Sequence, residues 1–175
     1  MQVPSRSFVI PSQELQFTSR GGIAIGARPI FGRERYWDLF DENLPEFGIG
    51  AIWLDVRNDT GSALDLGKAR WSLVESQSTM RALDSNGFFD RYYHMRRIRM
   101  VSTEADRKSK LGLETICFPA LPIPPRTGRQ GFLFFPIQPT DSEDWIHNGT
   151  LQVSRVGDGQ GAVLSFQVSL AHANP

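Results

Sequence analysis

"AIWLDVRNDTGS", residues 51–62, decides how the chain reads. Ile52, Leu54 and Val56 alternate with Trp53, Asp55 and Arg57, and "NDTGS" (58–62) follows. Successive side chains of a strand point to opposite faces, so apolar positions two apart build one buried face. Asn, Asp, Gly and Ser supply the local bonds and backbone freedom that a reversal needs. The stretch predicts a half-buried strand ended by a hairpin turn.

The same alternation recurs outward from it. "ARWSLVE" (69–75) puts Ala69, Trp71 and Leu73 on one face, and "AVLSFQVSL" (162–170) does so with Leu164, Phe166, Val168 and Leu170. Further strand candidates are "SFVI" (7–10), "LQFTS" (15–19), "GIAIGA" (22–27), "LETICF" (113–118), "QGFLFF" (130–135) and "TLQVSRV" (150–156). "GDGQG" (157–161) joins the last of these to 162–170 as a hairpin, because glycine tolerates the positive φ of a tight turn. "PALPIPPRTG" (119–128) has no place in the middle of a sheet, since proline lacks the N–H that a ladder needs, and it reads as a connector.

Two segments depart from the period of two. "RYWDLFDENLPEFG" (35–48) holds one short helix before Pro45. Residues 84–111 form a longer helical excursion, with Ser102 and Thr103 as N-cap candidates for "EADRKSKLG" and Gly112 closing it. Helix hung between strands is a more economical reading than a structureless loop of that length.

Composition narrows the function. At 175 residues, with 40% hydrophobic and 22% charged side chains, the chain is sized for one soluble domain. Folding at this length buries roughly 70% of the unfolded surface without staples. Nineteen basic residues against nineteen acidic leave no net field to gather DNA or an anionic membrane. Cys117 stands alone, so neither an internal disulfide nor a cysteine zinc site is available. "GFLFFPI" (131–137) is far short of the roughly 20 residues of a membrane helix. "MQVPSRSFVI" (1–10) has no secretory pattern, which leaves a cytoplasmic chain or one whose targeting segment has been removed.

The charge is segregated rather than absent. From Phe88 to Lys110 seven basic residues face three acidic ones, a local net of +4. Within that span "FFDRYYHMRRIRM" (88–100) interleaves aromatics with Arg91, Arg96, Arg97 and Arg99. Arginine among aromatics suits stacking and phosphate pairing. On a helical wheel, however, Phe88, Tyr92 and Met95 fall with Arg99, while Phe89, Tyr93 and Met100 fall with Arg96, and no face is purely basic. Packing on a sheet with the arginine stems along apolar surface is the competing reading. The acidic residues Asp38, Asp41, Glu42 and Glu46 offer an internal counter-charge.

Catalytic and metal chemistry find little footing. His94, His147 and His172 are scattered, and none lies four residues from another. "DVRNDTGSALDL" (55–66) lacks the glycine and terminal glutamate of a calcium loop. "GGIAIG" (21–26) runs into Pro29 rather than a helix and reads as a strand with glycines. Cys117 lies in apolar "TICF" (115–118), and no GxSxG elbow occurs. "DSED" (141–144) beside Trp145 reads as a solvated turn, with a calcium or sugar loop as the other possibility.

"FGIGAIWLDVRNDTGSALDL" followed by "PPRTGRQGFLFFPI" resembles bacterial cell-envelope domains with an immunoglobulin-like sandwich. There an apolar strand ending in Asn opens a turn, and a Pro/Gly loop precedes an aromatic core strand. The resemblance implies an exported, non-catalytic binding or assembly role in the periplasm or at the cell surface.

The expectation is one all-β domain over residues 1–175, an immunoglobulin-like antiparallel sandwich of about seven to nine strands with a helical excursion near 84–111. It is expected to recognise a protein partner through Tyr92, Tyr93, Arg96, Arg97 and Arg99, with no cofactor, metal, nucleic acid or membrane insertion. The alternative is a carbohydrate-binding module with Trp37 or Trp145 as platform. An enzyme is not expected; it would need His94 or His147 beside a carboxylate in a pocket.

Overall fold

Gly21 and Gly22, at φ 60° and 78°, turn the chain between its first two strands, a backbone that glycine adopts without strain. The strands are β1 (Gln16–Arg20) and β2 (Ile23–Pro29), and β2 continues the sheet onto β3 (Ile49–Asn58). This computed structural model describes residues 15–96, 104–140 and 144–171. The strand expected at 7–10, the caps expected at Ser102 and Thr103, and Arg97, Arg99, residues 141–143 and His172 lie outside the described residues.

Between β2 and β3 come helix α1 (Arg33–Phe40) and a short 3-10 helix (Leu44–Phe47). After β3 the chain makes β4 (Arg70–Glu75), β5 (Ser78–Arg81), α2 (Ser85–Met95) and α3 (Glu104–Ile116). It finishes with β6 (Thr127–Pro136), β7 (Asn148–Gly157) and β8 (Val163–Ala171). Two antiparallel four-stranded sheets result, in the orders β1-β2-β3-β6 and β5-β4-β7-β8. The protein is mostly β and sandwich-like, with three α-helices among the described residues.

Strand alternation assigns the faces. Ile52, Leu54 and Val56 of β3 pair across to Leu133, Gly131 and Arg129 of β6. Ile52, Leu54, Val56 and Leu133 lie on the inner face and are buried, as are Leu73, Leu151 and Val168 of the second sheet. Trp53 and Phe132 meet edge-on at 4.7 Å on the outer face. Helices cover that face: Phe40 of α1 lies 5.0 Å from Phe132, and Phe88 of α2 lies 4.9 Å from Phe134.

Two sequence expectations change and one holds. "NDTGS" does not close a hairpin, because β3 pairs with β2 and β6, and the chain after Asn58 crosses to the other sheet. Asn58 is fully buried and holds that crossing: its Nδ2 donates to the carbonyls of Ser62, Ile123 and Pro124, and its Oδ1 accepts from Thr60. Residues 113–116 are helix rather than strand, since α3 runs through Gly112 to Ile116 and buries Leu113. The apolar contact outweighs the roughly 1 kcal/mol that an interior glycine costs a helix. The 157–161 hairpin joins β7 to β8 as expected.

Candidate functional site

Asp84 starts α2 by accepting the Gly87 N–H at 2.7 Å, a cap the sequence reading passed over. Phe88, Phe89, Tyr92 and Tyr93 then fall on one broad face, and all four are buried. That corrects the expectation of an open aromatic surface, because the two tyrosines belong to the core. Phe88 stacks on Tyr92 at 6.2 Å, and Phe89 on Tyr93 at 5.6 Å.

The arginines between them hold the helix down. Arg91 donates from Nε to the Gly48 carbonyl at 2.6 Å and from its guanidinium to the Ile137 carbonyl, tying α2 to the ends of β3 and β6. Gly48, at φ 72°, ends the 3-10 helix, and a Cβ there would stand 2.8 Å from the Arg91 guanidinium. Arg96 pairs with Glu42, and its guanidinium lies 5.0 Å from both the Phe47 and the Tyr92 ring centroids. Glu42 is 7% exposed and also accepts the Tyr92 hydroxyl at 2.9 Å. Burial and the Glu42 carboxylate push the Tyr92 hydroxyl well above tyrosine's ordinary value. Glu42 thus provides part of the internal counter-charge anticipated from residues 38–46, and Glu46 approaches Arg33 at 3.7 Å.

The tryptophans separate. Trp145 is buried and its indole N–H donates to the Ile30 carbonyl at 2.7 Å, so its ring face is not free to take a sugar. It packs where Gly50 leaves room, since a Cβ on Gly50 would come 2.7 Å from the indole. Trp37 is 45% exposed on α1. Cys117 is partly buried, and burial followed by the nearby Glu114 pushes its thiol up to about 12. A thiol at that value carries little thiolate near neutrality. Among the described residues no group of three or more His, Cys, Asp or Glu side chains is placed to hold a metal ion. No described helix is long and apolar enough to cross a membrane.

A cleft opens beside β5 and the segment that follows β6. Its volume is about 610 Å³, and it is lined by Glu75, Ser78, Met80, Arg91, Ile137 and Trp145, with Ser76, Pro136, Gln138, Thr140 and Asp144 completing it. One wall is β5, the outermost strand of its sheet. Opposite pairs in an antiparallel ladder alternate between exchanging both hydrogen bonds and exchanging none. The Ala82 N–H reaches the Trp71 carbonyl at 3.0 Å, which in this register makes Met80 and Ser78 the bonded partners of Leu73 and Glu75. Thr79 and Arg81 therefore turn their N–H and C=O away from β4. The sequence reading missed this strand, because "STMR" (78–81) has one apolar residue and no β-rich run. The only local signal is Ser76 and Gln77 standing as a two-residue turn between matching segments.

No protein-family model matches the chain, and no curated protein matches it. Among solved structures it is similar to a DUF4426 family protein from Pseudomonas aeruginosa, 12% identical, with a TM-score of 0.37 over 90% of this chain and 93% of that one.

Proposed function

We propose that this protein is a non-catalytic binding module that takes an extended segment of a protein partner along the edge of β5. The supporting observation is the part of the edge that precedes the Leu83–Phe134 bridge to β6: there Thr79 and Arg81 direct backbone groups away from β4, beside a cleft of about 610 Å³. An extended peptide added to a sheet edge gains main-chain hydrogen bonds, and side-chain pockets give it specificity. Half-buried Met80 supplies apolar lining here over the buried Ile137 and Trp145, and Arg91 is held rigidly at the same place. The sandwich is read as immunoglobulin-like and the setting as the bacterial cell envelope. Both rest on the strand-and-turn pattern around 51–66 and 124–137, and fractionation of the source cells tests the compartment.

Thr79→Pro tests the docking edge. Proline removes an outward N–H without touching the β4 ladder, and edge strands tolerate it. Affinity capture from envelope and soluble extracts is expected to retain a protein on the wild type and lose it on Thr79→Pro of unchanged melting temperature. Equal retention by both proteins removes β5 from the function.

Trp37 supports a second reading, a carbohydrate-binding surface, because it is the one exposed indole of the pair singled out from sequence. Saturable quenching of its fluorescence by oligosaccharides, absent in Trp37→Ala, supports that reading.

A further inference from the structure

Down the outer face of the first sheet, the β3–β6 pairs run Trp53–Phe132, Asp55–Gln130 and Arg57–Gly128. The aromatic pair lies under α1, and the two polar pairs open on a second cleft, of about 440 Å³. Its charged lining is Arg57, Arg126, Arg129, Asp55 and Asp59. Gly128 contributes no side chain to the space beside Arg57; a Cβ there would stand 3.5 Å from Arg57 Cγ.

Arg57 is set in place before any ligand arrives. Asp55 Oδ2 accepts from its Nε at 3.3 Å and its Nη2 at 3.1 Å, and accepts the Gln130 amide at 3.2 Å. The Phe17 ring lies 5.9 Å from the same guanidinium. Asp55 is 2% exposed, so its charge is committed to these partners. Nη1 of Arg57 remains for something else. Arg129 donates to the Leu121 carbonyl at 2.9 Å.

Arg126 differs from both. Its side chain makes no hydrogen bond or ion pair with the described residues, and its backbone sits at φ 56°. L-residues with a long side chain resist that left-handed conformation, and glycine does not. Strain of this kind collects where a side chain has to be held in a particular place. Arg129 stands opposite Val56 in the ladder and sends its side chain to the other face of the sheet, so the cleft presents the guanidiniums of Arg57 and Arg126, with Asp55 already committed to Arg57 and Asp59 beside them.

We propose that this cleft is a binding site for a small oxyanion, the carboxylate or phosphate group of a ligand, held between Arg126 and the free Nη1 of Arg57. A guanidinium fork matches both groups, and fixing Arg57 beforehand spares the ordering that a loose side chain would undergo on binding. The site lies on the helix-bearing face of the first sheet, while the β5 cleft is walled by the edge of the second.

The experiment is a pair of NMR titrations at low ionic strength, with inorganic phosphate and with succinate, on the wild type, Arg126→Gln and Arg126→Gly. At least one probe is expected to saturate resonances of 55–59 and 126–130. Losing one charge-assisted contact weakens binding about tenfold in each variant. Arg126→Gly is also expected to melt higher than the wild type, which separates lost binding from lost folding. Saturation by phosphate alone assigns a phosphate ligand, and saturation by succinate alone a carboxylate. If neither probe saturates, or both variants bind as the wild type does, the proposal is overturned.

Discussion

Tyr36 and Tyr92 make the fold sensitive to alkali. Burial pushes the Tyr36 hydroxyl well above tyrosine's ordinary value, against the opposing bond from the Ala51 N–H at 3.0 Å. Tyr92 is raised by burial and then by Glu42. In the unfolded chain both ionise near pH 10. Above that value the native state binds more protons than the unfolded one, so stability falls as pH rises and is intact below it. Urea midpoints are therefore expected to hold, as far as these groups decide them, up to about pH 10 and to drop beyond it. Tyrosinate absorbance should appear together with unfolding. In Tyr92→Phe the alkaline slope should be shallower, because one of the two linked protons is gone; an unchanged slope would remove Tyr92 from the linkage. At this scale Glu42 decides what the basic–aromatic stretch is for. Its carboxylate takes the Tyr92 hydroxyl and Arg96 together, so part of the segment that looked most like a docking surface is committed inside the molecule.

Connections between elements are where this fold is least local. Asn58 ends β3 and binds the carbonyls of Ile123 and Pro124, 65 and 66 residues away, so one side chain joins the sheet-crossing turn to the proline-rich connector. Replacing it by Ala strips partners from several buried or half-buried groups at once, and a loss of about 2–4 kcal/mol is expected in chemical denaturation. Asn58→Asp keeps the acceptor for Thr60 and removes the donor. A comparable loss there assigns the effect to Nδ2, whereas wild-type stability would show that the carbonyls find water instead. The contrast explains what could be read in advance. β3, β4 and β8 are legible because alternation over six or more residues reports a half-buried face without knowledge of the partner strand. The turn after Asn58 was read as a hairpin because its chemistry is local, while its role is set by residues more than 60 positions on. Gly112 looked like a helix stop because propensity is visible in sequence and the burial of Leu113 is not. Residues 88, 89, 92 and 93 did carry a signal, since apolar side chains at those intervals make one stripe wider than 100° that points to a core. The β5 edge carried almost none, because its use lies in backbone groups that every residue type possesses.

The two sheets are interwoven along the chain. β1, β2 and β3 belong to the first sheet, β4 and β5 to the second, β6 to the first again, and β7 and β8 to the second. Neither sheet is complete without strands drawn from both halves of the sequence. β6 must seat beside β3 after an excursion of nearly 70 residues, and β7 must seat beside β4 after one of more than 70. Side chains reinforce the weave: Trp145, from the segment before β7, packs against Gly50 of β3 and bonds to Ile30. Trp71 of β4 meets Phe118, whose N–H reaches the Phe132 carbonyl of β6, at 5.6 Å. A chain built this way has no cut point that leaves one sheet standing. Unfolding is expected to be a single transition, although the length exceeds the size at which that is routine. The check is amide exchange through a urea series, following β3 for the first sheet and β7 for the second. Central amides of both strands should open with the same free energy and the same urea dependence, since the most protected groups report global unfolding. If β3 stays protected at a urea concentration where β7 exchanges freely, the sheets are separate cooperative units. The β5 cleft would then lie at a boundary between them, and the rigid edge required for peptide docking would be lost with the interweaving.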